Sequence, residues 1–435
     1  MQNIPSLPSG VLKNITKNWL LLAISSLAMA GIFSLPPVIL RGPFFADKLP
    51  VELIFSTSLV IHVDLSVLVW FLSSVCVLWS LLASKEFITA YKASFICSVL
   101  GTIILILSPF IGDSNPIKNN YVPVLQNPAF FIGLALFASG VLLNAFLTAM
   151  QYKKAEENYF NFGIYCSAII VLVAAICFAI AMQITPAPDG DFVSYYEHIF
   201  WGGGHVLQFT YTSCLVVVWL WMAQLSGFNI KLSHKIIWLV IAINLLIALP
   251  SPMFYLSDDV YNLFTKQMRH GGGIAALFAG GAVIWALFCK KNSSNAPHAI
   301  KASLVLSVLL FGYGGVLGYM ISGVNVTIPA HYHGSIVAVT LAFIALAYHL
   351  LPQVGFGEIK GKIATAQPYI YGIGQVMHVT GLAWMGGYGA LRKAANSSQD
   401  IEALAPKLLF FSGGALAILG GLLFIVVVIR SVRSK

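Results

Sequence analysis

Charge is what this sequence has least of. Only 9% of its 435 residues are Asp, Glu, Lys or Arg, against 58% apolar. A soluble globule carries roughly a quarter charged residues, so that class is excluded. Cysteine is sparse and poorly placed for chemistry. Its six copies (Cys76, Cys97, Cys166, Cys177, Cys214 and Cys289) lie within or at the ends of apolar runs with no CxxC spacing, which excludes a disulfide framework and a thiolate metal site. There is no CxxCH haem-attachment site, no cysteine-histidine copper site, no low-complexity segment and no clear internal repeat. The net charge of +9 does not imply nucleic acid. It is spread over short loops between apolar runs, where the positive-inside rule accounts for it.

What the chain has instead is a succession of apolar runs. Twelve are long enough to cross a bilayer. The first six are Asn18 to Leu40, Phe55 to Leu82, Phe87 to Ile111, Ala129 to Met150, Tyr159 to Met182 and His198 to Leu225. The second six are His234 to Leu256, Gly271 to Cys289, His298 to Ser322, His331 to Leu351, Pro368 to Leu391 and Leu408 to Val432. Lys13 and Lys17 followed by Ala28-Met29-Ala30 imitate a cleavable leader, but the apolar run continues to Leu40, past the usual length. It is therefore expected to remain as a span. With the amino terminus cytoplasmic, sixteen of the 24 Lys and Arg fall on inner loops and tails, which puts both termini inside. Short connections predict one membrane domain over residues 1–435.

That orientation sorts the ten histidines by depth. His62, His198, His205, His270, His331, His333 and His378 all fall in the outer third of the membrane. Only His234, His298 and His349 lie at the inner surface, as solvated boundary residues. A layer of imidazoles from several helices at one depth points to a buried metal or haem layer, because imidazole inside a span is costly unless it is a ligand, a relay or paired. At the centre of the layer is Pro329-Ala330-His331-Tyr332-His333-Gly334. Two residues apart on a helix are rotated by roughly 200°, so the two rings leave opposite faces of one rod. A pair of imidazoles from facing helices suits a low-spin electron-transfer haem, and a single one leaves iron open to a small ligand.

In these motifs the chain resembles subunit I of the haem-copper oxidase superfamily, and the resemblance covers nearly all of it. Glu197-His198-Ile199-Phe200-Trp201-Gly202-Gly203-Gly204-His205 looks like the sixth-helix motif whose second histidine binds copper. Asn325-Val326-Thr327-Ile328-Pro329-Ala330-His331-Tyr332-His333 is similar to the tenth-helix motif. Ser58-Leu59-Val60-Ile61-His62 matches the second-helix site, and His378-Val379-Thr380-Gly381-Leu382-Ala383 followed by Arg392-Lys393 resembles the eleventh. The resemblance implies an all-α integral membrane bundle of twelve transmembrane helices. It implies two haems: a low-spin haem held by His62 and His333, and a high-spin haem held by His331. His205 is then the active-site histidine facing the open position, Gln208 is the nearest polar group on its helix face, and Arg392 and Lys393 are candidates for propionate contact. His198 and His378 take no ligand role.

The chain departs from the family in two places. The adjacent histidine pair of the seventh helix falls here at Pro250-Ser251 or Ser251-Pro252, and neither can replace imidazole. A distal copper or non-haem iron would need further ligands, with His270, Asp258 and Asp259 as possible substitutes. The positions of the family's redox tyrosine are Phe209 and a site near Asn244. Two-electron reduction of NO needs no such tyrosine, so both O2 and NO stand as acceptors. Asp64 and Glu197 are the acids at a plausible depth.

The expected function is a respiratory terminal reductase in a bacterial-type inner membrane. It would be embedded in lipid, fed by a periplasmic electron-donor protein or companion redox subunit, and act on a small diatomic. The alternatives are a haem-binding relative with a decayed distal site acting in electron transfer or sensing, and, in a different class, a twelve-helix secondary transporter, for which inverted repeats are not evident.

Overall fold

Where lipid offers backbone amides no partner, a run as apolar as these has one local solution, the helix. The computed structural model describes residues 4–40, 51–289, 293–390 and 403–434. In order, the helices are α1 (Val11–Ile39), α2 (Val51–Val63), α3 (Trp70–Ser80), α4 (Ile88–Leu107), α5 (Pro128–Ala149), α6 (Tyr152–Ala155), α7 (Tyr159–Ile184) and α8 (Phe192–Leu225). They continue as α9 (His234–Ala248), α10 (Val260–Gly271), α11 (Ile274–Leu287), α12 (His298–Tyr319), α13 (Thr327–Gln353), α14 (Lys362–Gly387) and α15 (Leu404–Arg433). The two short antiparallel strands β1 (Pro116–Ile117) and β2 (Val124–Leu125) pair between α4 and α5.

Among the described residues, 11 helical segments are long and apolar enough to cross a membrane, so the chain is a multi-pass membrane protein. The eleventh run of the sequence reading appears as α14, a 26-residue helix more polar than the others through Gln367, Gln375, His378 and Thr380. Helix starts follow from local chemistry. Asn127 accepts from the Phe130 amide at 2.8 Å ahead of α5, and Asn158 from the Asn161 amide at 2.9 Å ahead of α7. The apolar run from His234 stops being α-helical at Ala248, because Pro250 and Pro252 lack amide donors; Ser251–Leu256 continues as a tighter 3-10 turn. Between α2 and α3 the six residues Asp64–Val69 form a π-helix, with the Trp70 amide reaching back to the Leu65 carbonyl.

Two compact units divide the chain. The first comprises Met1–Val217 and His234–Ala275. Within it α4 lies against α5 through glycines, where a methyl on Gly133 would stand 2.9 Å from the Leu105 amide nitrogen. Small residues allow this approach of backbones in lipid. Polar ties cross the same unit: Trp79 Nε1 donates to Ser167 Oγ at 2.9 Å, and Ser80 Oγ to Thr16 Oγ1 at 2.8 Å. Lys154 Nζ donates to the carbonyls of Leu82 and Ala83 at 2.9 and 2.7 Å. The second unit comprises Val218–Ser233 and Ala276–Lys435. There Gly334 of α13 meets Gly314 of α12, with a Cβ on Gly334 only 2.7 Å from the Gly314 Cα. Trp219 Nε1 donates to Ser307 Oγ at 2.8 Å, and Gln367 joins Tyr348 OH (3.0 Å) to the Gly420 carbonyl (3.1 Å).

Candidate functional site

In the first unit, His62 occupies the last turn of α2, half-buried, with Nδ1 2.8 Å from the Ala30 carbonyl of α1. A carbonyl can only accept, so Nδ1 carries the proton and Nε2 of the neutral ring keeps its lone pair. This is the tautomer that a metal-ligating histidine needs, with its other nitrogen held by an outer partner. In the second unit, His331 repeats the arrangement. Its Nδ1 lies 2.7 Å from the Gly314 carbonyl of α12, and its ring lies so close to Gly318 that a Cβ there would come within 2.7 Å of Nδ1. His333 leaves α13 toward α14. Its Nδ1 is 2.8 Å from the Pro329 carbonyl, and its ring lies between Tyr332 (centroids 5.1 Å apart) and His378 (5.4 Å). His378 in turn bonds the Phe410 carbonyl at 2.9 Å and stacks on the Phe410 ring. The opposite-face reading of His331 and His333 therefore describes their surroundings: one turns to α12, the other sits beside α14. His62 and His331 each have Nδ1 on a backbone carbonyl, and a neutral imidazole held in that way is a donor that haem iron can accept.

His205 has different surroundings. It is 4% exposed, with Nδ1 2.8 Å from the Trp201 carbonyl. Its ring is walled by Tyr121 and Trp201, both at 4.7 Å between centroids, and by Phe264 at 6.0 Å. The three consecutive glycines before it make the wall possible. A Cβ on Gly202 would press on Phe264 and Tyr255, on Gly203 on Phe178, and on Gly204 on Tyr121. Tyr121 itself has φ 61°, a left-handed backbone that costs a bulky residue free energy. The neighbouring residue explains how it is held: Glu197 Oε2 accepts the Asn120 amide at 2.8 Å and Oε1 accepts the Asn120 side-chain amide. This aromatic wall was not read from the sequence. Its signal was the Gly202-Gly203-Gly204 run, since glycine inside a helix costs about 1 kcal/mol relative to alanine and three in a row mark a face that other side chains must approach.

The remaining predicted residues are placed as follows. Gln208 is half-buried, three residues after His205. Phe209 and Asn244 are fully buried, Asn244 donating to Ser213 Oγ at 3.2 Å. Asp64 is 1% exposed, and neither carboxylate oxygen has a hydrogen-bond partner among the described residues. His198 and His270 are exposed. Ser251, where the family has a histidine, bonds Gln267 instead, with Gln267 Nε2 donating at 2.8 Å. Arg392 and Lys393 lie outside the described residues. Every histidine and cysteine lies within them, and among them no three His, Cys, Asp or Glu side chains group as a metal site would require. His205 alone supplies too few donors for Cu(II) or non-haem iron, so a distal metal does not fit the donors among the described residues.

The cytochrome c and quinol oxidase polypeptide I family model matches residues 14–417. An uncharacterised protein of Rickettsia prowazekii (strain Madrid E) is 28% identical, with 95% of this chain and 94% of the relative covered. An uncharacterised protein of Aquifex aeolicus (strain VF5) is 30% identical over 81% of this chain and 88% of its own length. Among solved structures, a heme-copper terminal oxidase dimer matches with a TM-score of 0.74 at 16% identity, over 98% of this chain and 84% of that one. The fold is thus that of an oxidase subunit I. Four histidine motifs in order and a family match across nearly the whole length lead to one conclusion: this chain belongs to the cytochrome c and quinol oxidase polypeptide I family, and with it to the oxidoreductases of membrane electron transport.

Proposed function

We propose that this chain is the haem-bearing subunit of a terminal reductase in a bacterial-type inner membrane, with both termini cytoplasmic, which passes electrons to a diatomic acceptor, O2 or NO. The observation that carries the reading is the fixing of His62 Nδ1 on the Ala30 carbonyl and His331 Nδ1 on the Gly314 carbonyl. It leaves two half-buried imidazoles whose Nε2 would be the coordinating atom. On the family pattern, His62 and His333 would hold a low-spin haem, and His331 would hold a high-spin haem. Haem, when bound, would supply one-electron carriage and reaction with the diatomic. The chain's own groups do the rest. The carbonyls of Ala30, Gly314 and Pro329 orient the rings, the Tyr121-Trp201-Phe264 wall keeps water from His205, and Gln208 offers the nearest amide on that helix face. Electrons come from a periplasmic donor protein or companion subunit.

A reduced-minus-oxidised optical spectrum of the purified protein tests this. Haem bands with a carbon monoxide-sensitive component are expected, and their absence ends the proposal. Consumption of O2 and of NO, measured separately on the reduced protein, decides the acceptor.

The donor set around His205 favours one further reading, a relative that binds haem and transfers electrons or senses a diatomic without a distal metal. In that case carbon monoxide binding persists, copper and non-haem iron fall well below one per protein, and neither acceptor is consumed.

A further inference from the structure

One face of α1 and one of α4, both in the first unit, flank a groove that the proposed reaction leaves unused. It encloses about 310 Å³. Its lining runs from Asn18 to Met29 on α1 and from Phe95 to Ile106 on α4, each about 16 Å of helix, or about half of a hydrocarbon core some 30 Å thick. The walls are hydrocarbon because the hydroxyls turn away. Ser26 Oγ donates to the Ala23 carbonyl and Thr102 Oγ1 to the Ser98 carbonyl, both at 2.8 Å. Ser25 and Ile103 are exposed, so the groove opens toward lipid. One end is charged. Lys13 and Lys17 continue the row of Leu21 and Ser25 at four-residue spacing, and Lys92 lies one turn before Phe95 on the face of Val99 and Ile103. The flanking segments 11–18 and 84–95 hold four lysines against one acid, Glu86, which is exposed beside Lys85. Among the described residues no carboxylate pairs with Lys13 or Lys92.

We propose that this groove is a binding site for an anionic phospholipid, with one acyl chain lying between α1 and α4 and the headgroup phosphate held by Lys13, Lys17 and Lys92. The groove has the polarity of that molecule, charge at one end and hydrocarbon along about half a bilayer's thickness. On the orientation proposed above, it is a lipid of the inner leaflet. An acyl chain gains little free energy in leaving lipid for another apolar surface, so the apolar walls alone select no lipid. Selection resides in the lysines, each of which favours an anionic head by about fivefold. The walls fix where that head lies, and the head fixes which lipid the groove retains. The far end reaches Met29, beside the Ala30 whose carbonyl holds His62 Nδ1. A resident lipid therefore braces the stretch of α1 that orients that ring.

The test reconstitutes the full chain in mixed vesicles of phosphatidylcholine and phosphatidylglycerol. One of the two lipids at a time carries a photoreactive diazirine on an acyl chain, and the residues it labels are located by mass spectrometry. Leu422 of α15, which is exposed, reports lipid that has no site. In wild type the preference for phosphatidylglycerol over phosphatidylcholine at Val99 and Met29 should exceed that at Leu422 by about fivefold or more. Lys13→Gln combined with Lys92→Gln should bring the two preferences together. Ser25→Trp, which fills the groove, should lower labelling of Val99 by either lipid and leave Leu422 unchanged. Equal preferences in wild type overturn the site and leave only ordinary belt lipid, and a preference untouched by the double substitution overturns it as well. Benzoylphenylalanine in place of Ser25, illuminated in native membranes, separates the remaining occupant. Trapped phospholipid supports the proposal, and a trapped protein overturns it by giving this face to a companion subunit.

Discussion

Gly318→Ala is the sharpest probe of the proposal that His331 holds a haem, because the new methyl would meet the ring of His331 and not the backbone. A Cβ at Gly318 stands 2.7 Å from His331 Nδ1 and 2.8 Å from Cε1, whereas ordinary contact begins at 3.4 Å. The imidazole must therefore retreat by about 0.7 Å, a distance that a 2.7 Å hydrogen bond to the Gly314 carbonyl cannot absorb. Losing that bond costs about 0.5–1.5 kcal/mol, and twisting the ring off its rotamer about as much again, so the ligand geometry is penalised by about 1–3 kcal/mol. The helix itself should not suffer, since alanine in a helix is favoured over glycine by about 1 kcal/mol. Gly315→Ala, on the same helix with nothing within 4 Å of its Cβ, provides the control. The assay is the carbon monoxide difference spectrum of the reduced protein at matched low-spin haem content. Gly318→Ala should lower the carbon monoxide-reactive fraction while the low-spin bands persist, and Gly315→Ala should change neither. An unaltered carbon monoxide spectrum in Gly318→Ala would show that His331 is not the ligand of that haem.

Three further outcomes are expected. Glu197→Ala removes both bonds to Asn120 and frees the strained Tyr121 backbone. It should lower stability by about 1–3 kcal/mol and weaken the near-ultraviolet circular dichroism of the aromatic wall, and a wild-type melting curve with an intact aromatic signal would refute the latch. Ser167→Ala leaves the fully buried Trp79 Nε1 without its acceptor, which costs about 1–3 kcal/mol; thermal unfolding in detergent that matches wild type would refute this. Lys154, outside the spans, has its ammonium pKa lowered by burial, against a smaller opposing effect from Glu157. The unfolded chain then binds more protons than the folded one just below the ordinary lysine value, so stability should rise with pH across that window, and Lys154→Met should remove that slope.

The apolar runs were legible because lipid leaves a helix as the only economical backbone, and His62 and His331 stood out as candidates because imidazole in a span needs a reason. Helix ends were less legible. Charged and polar residues beyond the apolar core extend α8 back to Phe192, and hydropathy does not register them. The seventh run was read through to Leu256, yet Pro250 and Pro252 turn its end into a 3-10 segment. Least legible was the wall around His205. Tyr121 comes from a loop over eighty residues earlier in the sequence, and no periodicity connects it to α8. Its contact with Gly204 arises from the β1-β2 turn and the hold of Glu197 on Asn120. His378, read as having no ligand role, proves to be the neighbour of His333, a contact made between α14 and α13.

The π-helical stretch Asp64–Val69 bears on how this chain could change length. A π turn holds one residue more than an α turn, so it amounts to a single-residue insertion absorbed in place, with α-helix resuming on either side. Removing one residue from this stretch would let the rod close as a continuous α-helix, keeping His62 and the buried face from Trp70 onward in their present orientations. A deletion at most other points of this span would swing everything beyond it by about 100° and take one of those two faces out of position. The chain therefore has a built-in site of length tolerance that begins two residues beyond His62, at a carboxylate with no hydrogen-bond partner among the described residues.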